Sequence, residues 1–307
     1  MISIVTGATS FIGIALINKL INENEKVIAI VRPDSSRKLC IPKCENVSVV
    51  FSELSDLDKL QLNNDKCSTF YHIGWSSDYI DPRFNLSGQL KNVEYAEKAF
   101  CLAAKYNCEA FLSIGSQAEC GRISGCITPY TAAKPETAYA IAKVVINEKL
   151  KSLCEEKKIK FCSPRLLSGY GPYDRPTTMI MSCITAGLKN VPLEMTTAEQ
   201  IWDYIYVDDI ANALYLIAKN GKHAKRYPIG SGIARSMQSY IYDIAKATGS
   251  DKLLEGIGKR QYNQGQVMNL LADITELNYD TGFSCEFSFD DGIKKTIEFV
   301  KKDDIDL

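Results

Sequence analysis

Histidine is scarce in this chain, with only His72 and His223 among 307 residues, and the eleven cysteines include no C-x-x-C pair. The most closely spaced are Cys40 with Cys44 and Cys120 with Cys126. Protein zinc sites use tightly spaced thiolate and imidazole ligands, so no metal site is expected. The cysteines read instead as small buried hydrophobes and a few surface thiols kept reduced. No apolar stretch approaches the ~20 residues needed to span a bilayer. The opening MISIVTGATS lacks the basic segment and long apolar run of a secretory signal. Net charge is −1, which removes the electrostatic basis for a nucleic-acid or acidic-membrane partner. Repeats, low-complexity tracts and Gly/Ser linkers are missing too. A cytoplasmic location is the expectation.

What is present is an alternation of two periodicities. The runs ISIVTG (2–7), KVIAIV (26–31), NVSVVF (46–51), STFYHIG (68–74) and AFLSIGS (110–116) are short and mostly β-branched, as buried parallel strands should be. Between them lie helical patterns. In the first, Ile12, Leu16 and Leu20 share a face with Ile17 and Ile21 beside them, and longer helices are expected over 92–106 and 135–157. Strand–helix alternation implies βαβ units with right-handed crossovers, hence an α/β Rossmann-type doubly wound parallel sheet. After about Phe161 the rhythm loosens into a smaller C-terminal substrate-binding lobe. The expected division is a dinucleotide-binding domain over 1–165 and a substrate domain over 166–307, returning to the first domain near 202–218.

The segment VTGATSFIG (5–13) joins the first strand to the first helix. Gly7 permits the sharp turn and Gly13 lets the helix approach the sheet. The free N–H groups of the helix start, spanning Thr9, Ser10, Phe11 and Ile12, suit a pyrophosphate. A glycine-rich loop alone is a weak signal, but here it sits between a strand and an amphipathic helix, the context that supports dinucleotide binding. Ser10 stands where the G-x-x-G-x-x-G variant has its middle glycine, and its hydroxyl is a candidate phosphate contact. The end of the second strand bears on which dinucleotide is used. Arg32 lies there, while Asp34 falls beyond Pro33. A guanidinium matches a 2′-phosphate, so NADP is favoured over NAD.

Tyr139 and Lys143 are spaced one helical turn apart. A free phenol has a pKa of ~10, and a neighbouring ammonium is expected to lower it and make the tyrosine a usable acid or base. Tyr130 and Lys134 have the same spacing, but Pro135 follows directly and drives Lys134 away from helical angles. The second pair is therefore the chemical one, on a helix that Pro135 can start. Ser116, at the end of the fifth strand, can hydrogen-bond a substrate oxygen beside the tyrosine.

Together these pieces resemble the extended short-chain dehydrogenase/reductase family, in its sugar-nucleotide epimerase/dehydratase branch. The resemblance spans essentially the whole chain through VTGATSFIG, HIGW (72–75), Asn92-Val93, GSQAECG (115–121), Tyr139-x-x-x-Lys143, PRLLSGYGP (164–172) and WDYIYVDD (202–209). It implies that Ser116, Tyr139 and Lys143 are catalytic, with Lys143 also a cofactor-ribose ligand. It implies adenine contacts at Glu53 and Leu54, with Ile73, Gly74 and Trp75 lining the nicotinamide side. The stretch from Pro164 through Leu166 to Leu167 would close over that side. Ser116, Gln117, Met179, Gln200, Asp203 and Tyr204 fall where the branch grips its sugar nucleotide, and Arg260 and Tyr262 would clamp the diphosphate. Cys120 departs from the tyrosine common before Gly121. Asp208 and Asp209 read as structural caps, and Trp202 as core. Sugar 4,6-dehydratases of the branch place Asp and Glu after the catalytic threonine; Gln117 and Ala118 stand there, which argues against dehydration. What the resemblance leaves is reduction of a nucleotide-linked 4-keto-6-deoxyhexose at C4, with an NAD-dependent 4-epimerase as the alternative. A catalytically silent dinucleotide sensor is the alternative of another class. A homodimer built on the helices near 92–106 and 135–157 is also implied.

Overall fold

Six short runs of mainly β-branched and aromatic residues assemble edge to edge in this structure, a computed structural model that describes residues 1–63, 66–76 and 84–302. They are β1 (Ile2–Thr6), β2 (Lys26–Val31), β3 (Val47–Phe51), β4 (Thr69–His72), β5 (Ala110–Ser113) and β6 (Lys160–Cys162). Every neighbouring pair is parallel, and the order across the sheet is β3-β2-β1-β4-β5-β6. This order reverses between β1 and β4, and in such sheets the ligand crevice opens there, outside the strands' carboxyl ends.

Because side chains alternate across a strand, each strand feeds two cores. Val5, Val27, Ala29, Val31 and Leu112 pack with Leu16, Ile17 and Leu20 of α1 (Phe11–Asn22) and with Ile210, Leu214 and Ile217 of α5 (Val207–Asn220). Ile4, Ile28, Ile30, Phe70 and Phe111 pack instead with Val93, Ala96 and Phe100 of α2 (Leu86–Lys105) and Ile146 and Leu150 of α3 (Ala138–Glu156). The return of α5 onto the sheet is fixed at its rim by Tyr215, whose hydroxyl donates to Glu23 (2.8 Å).

Three local readings change. β3 is a sheet edge with Ser48, Val49 and Phe51 exposed, not a buried strand. α2 begins at Leu86, ahead of the expected position, because Asn85 caps it through Gly88 N. α3 begins at Ala138, later than expected, because Thr137 rather than Pro135 provides the start, its hydroxyl accepting from Ala140 N. Tyr139 is therefore in the first turn of α3.

The remaining elements are α4 (Met179–Lys189), α6 (Met237–Thr248), α7 (Thr275–Thr281), α8 (Phe289–Lys302) and several short strands; α6 packs on α4 and α8, and α7 packs along α5. Past β5 the chain breaks, and Gly115–Ser116 pairs in parallel with Arg165–Leu166, which pairs in turn with Pro228–Ile229. This small sheet carries Ser116 away from the main sheet toward the crevice. Among the described residues no helix is long and apolar enough to cross a membrane.

Candidate active site

The turn after β1 is built for close backbone approach. Gly7 has a left-handed backbone (φ +67°), and a Cβ there would lie 2.7 Å from Gly74 N. A Cβ on Gly13 would lie 2.2 Å from the Gly7 carbonyl. Ser10 closes the turn as the N-cap of α1, its hydroxyl oxygen accepting from Gly13 N (3.0 Å). That bond uses one lone pair of the hydroxyl and leaves its proton to donate. The first N–H groups of α1 then point outward at the positive end of the helix, and Phe11 and Ile12 line the crevice. This narrow cradle fits a dinucleotide pyrophosphate. Farther along, Leu54 packs under Gly74, and Glu53 is exposed beyond the end of β3. Ser35 donates to Thr9 Oγ1 (3.2 Å), tying the β2 loop to the turn. Arg37 is diverted to the Tyr173 carbonyl (2.7 Å), whereas Arg32 stays half exposed with its Nε 3.9 Å from Asp34.

Ser116, Tyr139 and Lys143 come together on one cavity of about 630 Å³, with Ile73, Trp75 and Leu166. Lys143 is buried; its Nζ donates to the Ile114 carbonyl (2.7 Å) and stands 3.7 Å from the centroid of the Trp75 ring. Trp75 in turn meets the Tyr139 ring edge-on at 5.7 Å and donates from Nε1 to Gln89 (2.9 Å). Burial pushes the Lys143 ammonium down to about 7, with the Glu119 carboxylate pulling the other way. Burial likewise raises the Tyr139 phenol above its ordinary value, opposed by a hydrogen bond with Ser116 and by Arg175. The expected acidification of Tyr139 by Lys143 is therefore corrected. The ammonium is turned toward a carbonyl and an indole, 5.8 Å from the phenol ring centroid, and the phenol stays protonated at neutral pH. His72, beneath them, is held near 3 by burial and stays neutral, its Nδ1 2.9 Å from Thr6 Oγ1. Tyr130, the discarded tyrosine, is exposed and bonds Glu276 (3.0 Å).

A second cavity of about 420 Å³ adjoins the first and shares Thr177, Met179, Trp202 and Tyr204 with it. Gln200 and Arg260 line it as well. Trp202 packs against the core, as expected, but is only half buried: it also lines both cavities and donates to Ser168 Oγ (2.8 Å). Asp203 is wholly buried, with its carboxylate accepting from Ser231 N, Ser231 Oγ, Gly232 N and Ala272 N, and it lines neither cavity. Four donors account for that carboxylate as a brace. Tyr262 also stands outside both linings; its hydroxyl accepts from Glu199 N (2.9 Å) and Thr197 Oγ1 (3.1 Å), supporting the segment that carries Gln200. Gln117 follows Ser116 in a short 3-10 turn (Gln117–Cys120) and lines neither cavity. Asp209 is structural by other means than capping, since it accepts from Glu286 N (2.8 Å) and Phe287 N (3.2 Å).

Three residues that the sequence reading did not single out stand at or behind this cavity. Arg175 lines the first cavity, and its charge favours the ionised form of Tyr139. Glu119 and Arg165 form a buried ion pair behind Ser116 (3.3 Å). The spacing of Glu119 from Ser116, a Ser-x-x-Glu capping box, was the available signal.

The sequence profile described as the NAD dependent epimerase/dehydratase family matches residues 3–230. Among curated proteins, CDP-abequose synthase of Salmonella muenchen is 26% identical over 297 residues, covering 96% of each chain. A probable dTDP-glucose 4,6-dehydratase of Sinorhizobium fredii is 22% identical over 96% of this chain and 91% of its own. Among solved structures, UDP-glucose 4-epimerase of Thermotoga maritima superposes with a TM-score of 0.85 at 20% identity over 99% of both chains. A Streptomyces venezuelae dTDP-glucose 4,6-dehydratase with NAD bound superposes at 0.84 with 18% identity, covering 98% of this chain and 97% of that one. At these identities the superpositions establish a shared fold.

Proposed function

Because the chain belongs to the NAD dependent epimerase/dehydratase family, we propose that it modifies a sugar nucleotide, and specifically that it reduces a nucleotide-linked 4-keto-6-deoxyhexose at C4 with NADPH. The observation that carries this reading is the shortage of acid groups around Tyr139. Among the described residues lining that cavity the single carboxylate is Asp174, and its oxygens accept from Arg175 N (2.7 Å) and Thr178 Oγ1 (2.8 Å). Eliminating water needs a proton donor and a base beside the sugar, whereas reduction needs one proton donor. A phenol held protonated by burial supplies it.

When bound, the dinucleotide supplies the hydride. The cradle of Gly7, Thr9, Phe11, Ile12 and Gly13 would hold its pyrophosphate, Leu54 and Glu53 its adenosine end, and Lys143 its nicotinamide ribose. Arg32 favours the 2′-phosphate form, since a guanidinium pairs with phosphate better than with a bare ribose. Ser116 holds the C4 oxygen, Tyr139 passes its proton to that oxygen, and Trp75 and Leu166 exclude water. Arg260, Gln200 and Met179 grip the nucleotide end. Full-length similarity to CDP-abequose synthase favours a CDP-linked substrate.

A homodimer is part of the proposal. Leu86 and Leu90 on α2 and Ile141 and Val145 on α3 are exposed, one turn apart in each pair, on adjacent helices joined by Lys149 and Glu97. Light scattering is expected to report a dimer, and a monomer at micromolar concentration would refute it. The catalytic reading is tested by offering NADPH with CDP-, dTDP-, UDP- and GDP-linked 4-keto-6-deoxyhexoses. Cofactor is expected to be consumed in step with ketone loss, whereas sugar interconversion without consumption would indicate a 4-epimerase.

A further inference from the structure

One buried carboxylate touches every element that carries the chemistry. Glu119 is fully enclosed. Its Oε1 accepts from Ser116 N (2.8 Å) and from Asn147 Nδ2 (3.1 Å), and its Oε2 lies 3.3 Å from Arg165 Nε. Its backbone carbonyl accepts from Lys134 N (2.8 Å), at the approach to α3. Asn147 follows Lys143 by one turn of α3, and Arg165 begins the strand that pairs with Gly115–Ser116. We propose that Glu119 is a positioning residue: it fixes the distance between Ser116 and the Tyr139/Lys143 helix, and its negative charge sustains the buried ammonium of Lys143. The proposal rests on the reading of Ser116, Tyr139 and Lys143 as the reacting group.

Charge balance alone does not account for Glu119. A carboxylate kept to neutralise arginine is commonly held bidentate, by two parallel N–H donors. Here Arg165 gives one contact to Oε2 and sends Nη1 to the Thr131 carbonyl (2.7 Å), leaving Oε1 to Ser116 N and Asn147. The groups facing Lys143 are His72 from β4, the Trp75 ring, Tyr139 on its own helix, the Ile114 carbonyl and Glu119. His72 is neutral, the phenol is protonated, and Glu119 is the carboxylate that raises the lysine. Glu119 itself faces Arg165, Asn147 and the Cys120 thiol, which burial raises.

Two substitutions separate charge from reach. Glu119→Gln keeps the length and loses the charge; Glu119→Asp keeps the charge and withdraws the oxygen from Ser116. Trp75 reports the ammonium directly, so its emission is followed against pH in cofactor-free protein, in a Trp202→Phe background that leaves it the single tryptophan. The midpoint without substitution at Glu119 is expected at about 7. Glu119→Gln should lower it by roughly one pH unit and move the alkaline limb of kcat, measured with Trp202 intact, the same way. Glu119→Asp should leave the midpoint in place and cut kcat about tenfold. Coincident Glu119→Gln and parent midpoints, or full kcat in Glu119→Asp, would overturn the proposal. If Glu119→Gln does not fold with Arg165 unpaired, the Asp variant decides alone. The fluorescence reading needs no substrate, so an inactive wild-type enzyme would count against the functional reading and not against this one.

Discussion

Removing one oxygen from Tyr139 is the narrowest cut into the proposed chemistry. In Tyr139→Phe the ring keeps its edge contact with Trp75 at 5.7 Å and its place in the first turn of α3, behind the Thr137 cap. The fold loses at most the interaction of the phenol with Ser116, about 1 kcal/mol or less. The reaction loses its proton donor. The Asp174 oxygens already accept from Arg175 and Thr178, and the cavity wall is otherwise short of acids. A positioned general acid contributes about 10²–10⁴-fold, equivalent to roughly 3–5 kcal/mol of barrier. The assay is NADPH oxidation at saturating sugar nucleotide, alongside thermal melting. The expected result is a kcat lowered by two to four orders of magnitude, with KM values within about threefold and an almost unchanged melting temperature. A kcat within about tenfold of wild type would show that another group delivers the proton and would refute the reasoning.

The site makes further commitments. Lys143 is depressed from its ordinary value to about 7, so between about pH 7 and 10 the unfolded chain binds the extra proton and stability rises with pH. Lys143→Met should therefore melt higher than wild type at pH 7 while losing activity, and calorimetry showing destabilisation would contradict the burial argument. Arg32→Glu should raise the KM for NADPH by about 10–100-fold while changing that for NADH little, by the worth of a charge-assisted pair; equal effects on both would remove the 2′-phosphate assignment. Arg260→Ala should raise the KM for the sugar nucleotide about tenfold at nearly constant kcat, since it lines the second cavity and not the one around Tyr139. A kcat loss of the same size would relocate it to the chemistry.

The sheet and the glycine turn were legible because they depend on local signals. Strand length, β-branching and the position of Gly7 and Gly13 are properties of neighbouring residues, and so is the proline after Lys134, which leaves Tyr139 and Lys143 as the pair that shares a helix. Less legible was whatever depended on who meets whom across the fold. Lys143 carries a spacing that points to Tyr139, yet its ammonium turns to the Ile114 carbonyl and the Trp75 ring, partners 29 and 68 positions earlier by subtraction of residue numbers. Asp203 and Tyr262 have the residue types of ligand contacts, but backbone donors brought in from Ser231, Gly232, Ala272 and Glu199 occupy them. Trp202 serves both ways, packed against the core on one side and lining both cavities on the other. Glu119 showed only as a capping pattern, because its partner Arg165 is remote in sequence.

The most direct test is a single time course of purified protein with NADPH and a CDP-linked 4-keto-6-deoxyhexose, following cofactor absorbance and sugar identity together. One NADPH oxidised per ketone reduced, with label from deuterated cofactor found at C4 of the product, is the predicted result. Label elsewhere, or a changed sugar with no cofactor consumed, would contradict it.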